Sequence, residues 1–259
     1  VKKEKNSMTV EGFDPQEMMR MKSAISEAFQ RSPPTIGIIG LTGKGKSTTI
    51  NRMFKTNRQT SDTVACTPNF EAVDLSLRAV RGHATGEAAS LRVIDAPGLG
   101  EDIRRDGHFL ELYEQHLPSC DVVLYVGTAR DRAVSLDQTY LRQLAPLCAD
   151  RLVIGINQCD LVAPMDWNSR INLPSQQQQK NLAEILRDRS QRLSWAVGRN
   201  LSLIPYSAET GWNLQELFTG LIAACPHERA WMFDALKNFH FSDFLPQDVL
   251  AALKKSGQL

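Results

Sequence analysis

Gly40-Leu41-Thr42-Gly43-Lys44-Gly45-Lys46-Ser47 matches G-x-x-x-x-G-K-[ST] in full, and its flanks decide what the match means. Before it, Thr35-Ile36-Gly37-Ile38-Ile39 is a short β-branched run that reads as a buried strand. After it, Thr48-Thr49-Ile50-Asn51-Arg52-Met53-Phe54 has helical spacing. Strand, glycine loop and helix together form a phosphate cradle, because glycines let successive N–H groups turn inward and the helix start adds unpaired donors. The amides of Gly43, Lys44, Gly45, Lys46, Ser47 and Thr48 are the expected nucleotide contacts. Lys46 is expected to reach the β- and γ-phosphates, and the Ser47 hydroxyl to hold Mg2+.

Working outward, the pattern alternates strands with helices. Phe70–Leu77 and Leu91–Asp95 read as strands around the turn Arg81–Gly86, pairing as an antiparallel hairpin at a sheet edge. Asp121–Val126, Leu152–Asn157 and Leu201–Pro205 supply further strands, and Arg105–Leu117, Ser135–Cys148, Ser175–Val197 and Asn213–Ala224 helices. Ser175 and Gln178 are spaced as a capping box, and the Gln176–Gln179 tract reads as a solvated first turn. Val162–Pro174, with Trp167, is an irregular insertion. The fold class is therefore α/β, a mostly parallel six-stranded sheet with one antiparallel edge strand and helices on both faces. Ligands of such sheets bind beyond the carboxyl ends of strands, where every motif here lies.

Extra helices are expected at both ends. Asp14-Pro15-Gln16-Glu17 starts one whose apolar stripe runs to Phe29, and Glu228–Phe239 and Gln247–Lys255 form two more. The organisation is an arm and helix over 1–33, a nucleotide domain over 34–225 and a helical extension over 226–259, with no chemistry legible in the last. A net charge of +1 gives no electrostatic case for nucleic acid or an anionic membrane. The cysteines Cys66, Cys120, Cys148, Cys159 and Cys225 are scattered with no C-x-x-C, which fits free thiols in a reducing, cytoplasmic setting. No apolar run approaches the ~18 residues of a membrane span, and no signal-peptide core is visible.

A phosphate loop alone does not separate kinases, ATPases and GTPases. Asp95-Ala96-Pro97-Gly98 matches D-x-x-G, where the carboxylate bonds a magnesium-bound water and the Gly98 N–H can touch a γ-phosphate. A turn closing a strand would read the same way in isolation. Asn157-Gln158-Cys159-Asp160 stands where guanine-specific proteins carry [NT]-K-x-D, with Gln158 in place of lysine. Asp160 can accept from N1–H and the N2 amino group of guanine, a donor pair that adenine lacks. Asn157 would tie this loop to the phosphate loop, and the Ala208 N–H of Ser207-Ala208 can donate to guanine O6.

The order of these four motifs resembles the translation-factor (Ras-like) class of P-loop GTPases. Val64-Ala65-Cys66-Thr67 resembles the switch loop of its Era-like bacterial branch, which makes Thr67 the expected GTP-dependent magnesium ligand, with Thr63 the alternative. Leu112-Tyr113, Asp131–Asp137, Asp166-Trp167, Ser207–Trp212 and Gln158 itself resemble the YfjP/YeeP group of bacterial GTPases over about Pro34–Ala224. The resemblance implies a G domain that binds GTP and GDP with Mg2+, with Lys46, Thr67 and Gly98 at the reacting phosphate and Ser47, Thr67 and Asp95 around the metal. The Ras-like water-orienting glutamine is missing, since Leu99 follows Gly98, and Gly43 replaces the potassium-binding asparagine of some relatives. Slow hydrolysis, a switch role, an unidentified protein effector and self-association through the switch face are what the resemblance implies. A GTP-binding module that hardly hydrolyses is the second reading, and a P-loop ATPase or kinase the third.

Overall fold

Thr35–Ile39, Val122–Thr128 and Leu152–Asn157 are buried at every residue, as strands covered on both faces must be. They are β1, β4 and β5 of the computed structural model, in which residues 20, 23–24, 27–54, 56, 71–76, 90–100 and 102–234 are described. The expected switch loop with Thr63 and Thr67, the hairpin turn, Glu101, most of the first helix and the last helix lie outside the described residues.

The sheet has six strands in the order β2-β3-β1-β4-β5-β6, where β2 is Glu71–Ser76, β3 Ser90–Asp95 and β6 Leu203–Pro205. β1 pairs in parallel with β3 and β4, β4 with β5, and β5 with β6. β2 runs antiparallel to β3 at the edge. The largest departures from the expected strand bounds are at β4, which continues to Thr128, and at β6, which starts at Leu203.

The helices are α1 Lys46–Phe54, α2 Ile103–His116, α3 Ser135–Cys148, α4 Gln176–Val197, α5 Leu214–Ala224 and α6 His227–Asp234. α2 begins two residues before the expected start because Asp102 caps it, accepting from the Arg104 N–H at 2.8 Å. Arg104 and Arg105 thus lie in the first turn of the helix. Each face of the sheet has its own apolar layer. One joins α2, α3 and α4 through Tyr113, Leu141, Leu144, Leu182 and Leu193. The other joins α1 and α5 through Ile50, Met53, Leu217 and Leu221.

The terminal segments belong to that second layer. Phe29, Met232 and Phe233 are buried in it beside Phe54 and Leu91. Arg229 of α6 makes a two-pronged ion pair with Asp121, both contacts 3.0 Å, and donates to the Ser32 and Pro33 carbonyls. Asp121 also accepts the Thr35 N–H at 2.8 Å. The described part of the extension after 225 therefore packs into the core through Met232 and Phe233, where the sequence reading placed the tail outside it.

Candidate nucleotide-binding site

The phosphate loop leaves β1 at Ile39 and enters α1 at Lys46. Gly45 has φ +85°, and a Cβ there would lie 2.4 Å from Asn157 Nδ2, so both conformation and space demand glycine. Lys46 is 8% exposed, and its Nζ donates to the Gly40 and Leu41 carbonyls at 3.1 Å each. That places a cation across the mouth of its own loop. The Ser47 hydroxyl donates to Asp95 Oδ2 at 3.3 Å, since register pairing of Ile38 with Asp95 brings the ends of β1 and β3 level. A hydroxyl and a carboxylate side by side are hard oxygen donors of the kind Mg2+ takes with phosphate and water. Ser47 and Asp95 fit that role; Thr67 lies outside the described residues.

Asn157 closes the base side onto this loop. Its Nδ2 donates to the Lys44 carbonyl at 3.0 Å, and its Oδ1 accepts the Ala208 N–H at 2.9 Å. The structure thus commits the Ala208 N–H to Asn157, where the sequence reading offered it to guanine O6. Arg52 of α1 holds the same loop from outside, donating to the carbonyls of Ala208 (3.0 Å) and Glu209. Gln158 adopts a left-handed backbone, φ 60°, which turns the chain sharply after β5. Asp160 follows in a short 3-10 turn, and its Oδ1 is buried with no hydrogen-bond partner among the described residues.

Gln178 corrects the sequence reading. The capping box with Ser175 is present, but Gln178 is fully buried while Gln176, Gln177 and Gln179 are exposed. Its Nε2 donates to the Asp160 and Val162 carbonyls at 3.2 and 2.9 Å, so α4 grips the base loop through its first turn. The insertion is pinned as well. Trp167 packs edge-on against Trp212, 5.5 Å between centroids, and Asn172 donates to the Thr210 carbonyl at 2.9 Å. The two tryptophan-bearing motifs, far apart in sequence, brace the loop that carries Ser207 and Ala208.

The D-x-x-G segment is held from three sides. Leu99 exchanges backbone bonds with the phosphate loop, its N–H to the Gly40 carbonyl at 3.4 Å and its carbonyl from the Thr42 N–H at 3.0 Å. Its side chain is 1% exposed in the apolar layer with Leu41. Tyr113 of α2 donates to the Pro97 carbonyl at 2.6 Å, and burial, then the Asp95 charge, holds its phenol well above the ordinary tyrosine range. Asp106 accepts the Gly100 N–H with both oxygens at 3.1 Å and also accepts from Tyr140 of α3. Burial and that carboxylate push the Tyr140 phenol up to about 12, so it stays a donor. Sequence reasoning missed Asp106 and Tyr140 as site residues; the G-x-x-x-x-x-D interval carries no known signal.

Lys44, expected among the nucleotide contacts, sends its side chain elsewhere. Nζ pairs with Asp131 in the β4–α3 loop, where Thr128 Oγ1 accepts the Asp131 N–H at 3.3 Å. Asp137 and Arg189 are buried nearby, and burial lifts the Asp137 carboxyl above its ordinary value while Tyr125 donates to it at 2.8 Å.

Residues 35–158 match the model of the 50S ribosome-binding GTPase family. The chain is 32% identical to YfjP of Escherichia coli strain K12 over 152 residues, which is 58% of this chain and 49% of that protein. It is 31% identical to YkfA of the same strain over 146 residues, 56% of this chain and 48% of the relative. The chain thus spans about half the length of these curated relatives, both described as uncharacterised. Era of Aquifex aeolicus, crystallised as a variant with GDP and AlF4−, superposes with a TM-score of 0.55 at 21% identity, over 74% of this chain and 57% of that one. Strand order, motif placement and these matches together give the described chain the fold of a P-loop GTPase G domain.

Proposed function

We propose that this protein binds GTP and GDP with Mg2+ and hydrolyses GTP slowly, as a molecular switch of the YfjP/YeeP type. The observation that carries the base specificity is Asp160 Oδ1, a shielded carboxylate oxygen with no partner among the described residues. An unpaired buried acceptor is costly, and the two adjacent donors of guanine satisfy it. Adenine offers a lone acceptor at N1 instead, which speaks against an ATPase or kinase. Ser47 and Asp95 would hold the metal, which neutralises charge on the β- and γ-phosphates when bound. Lys46 swings from its own loop carbonyls to the phosphates, and the loop amides fix their orientation.

Slow turnover follows from Leu99, an aliphatic side chain that is buried rather than aimed at a water. The same residue favours the second reading, a GTP-binding module with negligible hydrolysis. Self-association through the switch face and a protein effector remain part of the proposal, as does a cytoplasmic setting; buried free thiols at Cys120, Cys148, Cys159 and Cys225 are consistent with the last. No described helix is long and apolar enough to cross a membrane.

Single-turnover GTP hydrolysis with magnesium, across a range of protein concentrations and beside Lys46→Ala, tests the reading. A slow rate that requires Lys46 and rises with protein concentration supports a switch completed by self-association. GTP binding with no hydrolysis at any concentration moves the conclusion to the binding module.

A further inference from the structure

With Leu99 turned into the core, the reacting-phosphate corner needs another polar side chain, and the structure holds one that no motif accounts for. Thr42 sits at the third position of the phosphate loop, and its Oγ1 is buried without a hydrogen-bond partner among the described residues. The hydroxyl faces Gly98: a Cβ on that glycine would lie 2.1 Å from Thr42 Oγ1 and 2.8 Å from Thr42 Cα. The backbone fixes this approach, because the Thr42 N–H donates to the Leu99 carbonyl at 3.0 Å. A shielded hydroxyl thus stands between the phosphate loop and the D-x-x-G glycine.

We propose that the Thr42 hydroxyl is a catalytic residue of the GTPase reaction, bonding the attacking water and a γ-phosphate oxygen at the Gly98 corner. The inference rests on the guanine-nucleotide reading above and deepens it. A threonine hydroxyl has one proton to donate and two lone pairs to accept with, so it can take a hydrogen bond from the water while giving one to the phosphate. It acts by orientation and not as a base, so the water proton leaves to the γ-phosphate oxygens as the new P–O bond forms and the bond to the β-phosphate bridge breaks. Among the described residues the hydroxyl has no partner, and an unsatisfied buried group costs stability. An unsatisfied buried group is expected where the ligand supplies the missing partner. Thr42 is also well placed to couple the two segments that must meet at the γ-phosphate. Valine has the shape of threonine without the hydroxyl, so it removes only the hydrogen bonds.

The test compares Thr42→Val and Thr42→Ser with wild type in GTP and GDP affinity, single-turnover hydrolysis, and affinity for GDP with aluminium fluoride, a transition-state mimic. The expected result for Thr42→Val is unchanged GDP affinity, an apo Tm at or above wild type, hydrolysis about 100-fold slower and weakened aluminium-fluoride binding. Thr42→Ser should stay within about threefold of wild type, because it retains the hydroxyl. Where valine crowds Gly98 and abolishes GTP binding, Thr42→Ala against Thr42→Ser gives the same comparison. Hydrolysis by the hydroxyl-free variant at the wild-type rate overturns the proposal, as does a wild-type protein that binds GTP and never hydrolyses it. Failure of the wild type to bind guanine nucleotides at all would instead overturn the functional reading beneath it.

Discussion

The two halves of the site are held in different ways. On the base side, side chains grip backbone: Asn157 joins three loops, Gln178 holds the Asp160 and Val162 carbonyls, and Arg52 holds those of Ala208 and Glu209. Each contact is local to the base loop or reaches it from a helix that is itself part of the core. On the phosphate side, the D-x-x-G segment is strapped by Leu99, Tyr113 and Asp106, contacts that a moving segment has to exchange. The base side is a preformed socket in which Asp160 Oδ1 has no partner among the described residues. On the proposed function, the phosphate side, closed on itself here, would be re-made around a γ-phosphate. Such an asymmetry suits the proposed switch, with one half to hold the nucleotide and another whose contacts can be traded.

Asn157→Ala should have the largest effect, because that side chain belongs to both halves. Losing its two bonds leaves the Ala208 N–H and the Lys44 carbonyl unpaired, and nucleotide affinity should fall about 100-fold with about 2–3 kcal/mol of stability. Fluorescent-GDP titration and urea unfolding measure the two effects. A variant that keeps wild-type affinity would mean that the halves are not coupled through Asn157.

Gln178→Ala strikes the base half alone. The Asp160 carbonyl loses its Gln178 donor and the Val162 carbonyl keeps only the Met165 N–H, while the phosphate half is untouched, so GDP affinity should fall about tenfold, with about 1–2 kcal/mol of destabilisation. Inorganic phosphate or pyrophosphate binding should not change. Tyr113→Phe addresses the other half: it releases the Pro97 carbonyl, costs about 1 kcal/mol, and should leave GDP affinity within about twofold while altering GTP hydrolysis. An equal loss of GDP affinity in both variants would erase the distinction drawn here.

The smallest effect concerns Asp137, behind the phosphate loop. Burial, opposed by the Tyr125 hydrogen bond and by Lys44 and Arg189, raises its folded pKa above the ordinary 3.8. A carboxyl of raised folded pKa binds its proton more tightly in the native state, so it destabilises the fold at neutral pH. That cost shrinks as pH falls through the folded pKa and is gone below the unfolded value. Asp137→Asn should therefore raise the unfolding midpoint slightly at pH 7, with the gain vanishing near pH 3.5. A gain that grows on acidification would contradict this sign.

Much of this was legible in the sequence where one stretch of backbone performs the chemistry. The phosphate loop must be a strand, a glycine turn and a helix within a few residues, so its pattern and its geometry are the same fact. Asn157 and Asp160 were readable for the same reason: both sit at the end of one strand. Gln178 shows the limit, because four consecutive glutamines look like a solvated turn although the third of them is fully buried. Its capping-box position was the available clue, since that side chain must fold back toward the chain that precedes the helix. Asp106 and Tyr140 were illegible because their bond joins residues 34 apart on two helices whose packing no local pattern specifies. The Lys44–Asp131 pair was illegible as well, because its partners stand 87 residues apart in two different loops. The C-terminal extension was legible as helix but not as core, because burial of Met232 and Phe233 depends on a surface made elsewhere.

Guanine selectivity, as proposed, is carried by Asp160, and nucleotide competition tests that directly. Displacement of a fluorescent GDP by GDP, ADP and XDP should be measured for wild type and for Asp160→Asn. The amide of asparagine donates where the carboxylate accepts, so it should pair with the carbonyl that xanthine carries in place of the guanine amino group. The account predicts that wild type prefers GDP over ADP and XDP by about 100-fold or more, and that Asp160→Asn reverses the order in favour of XDP. A wild type that binds ADP as well as GDP, or an Asp160→Asn variant that keeps its preference for GDP, would contradict it.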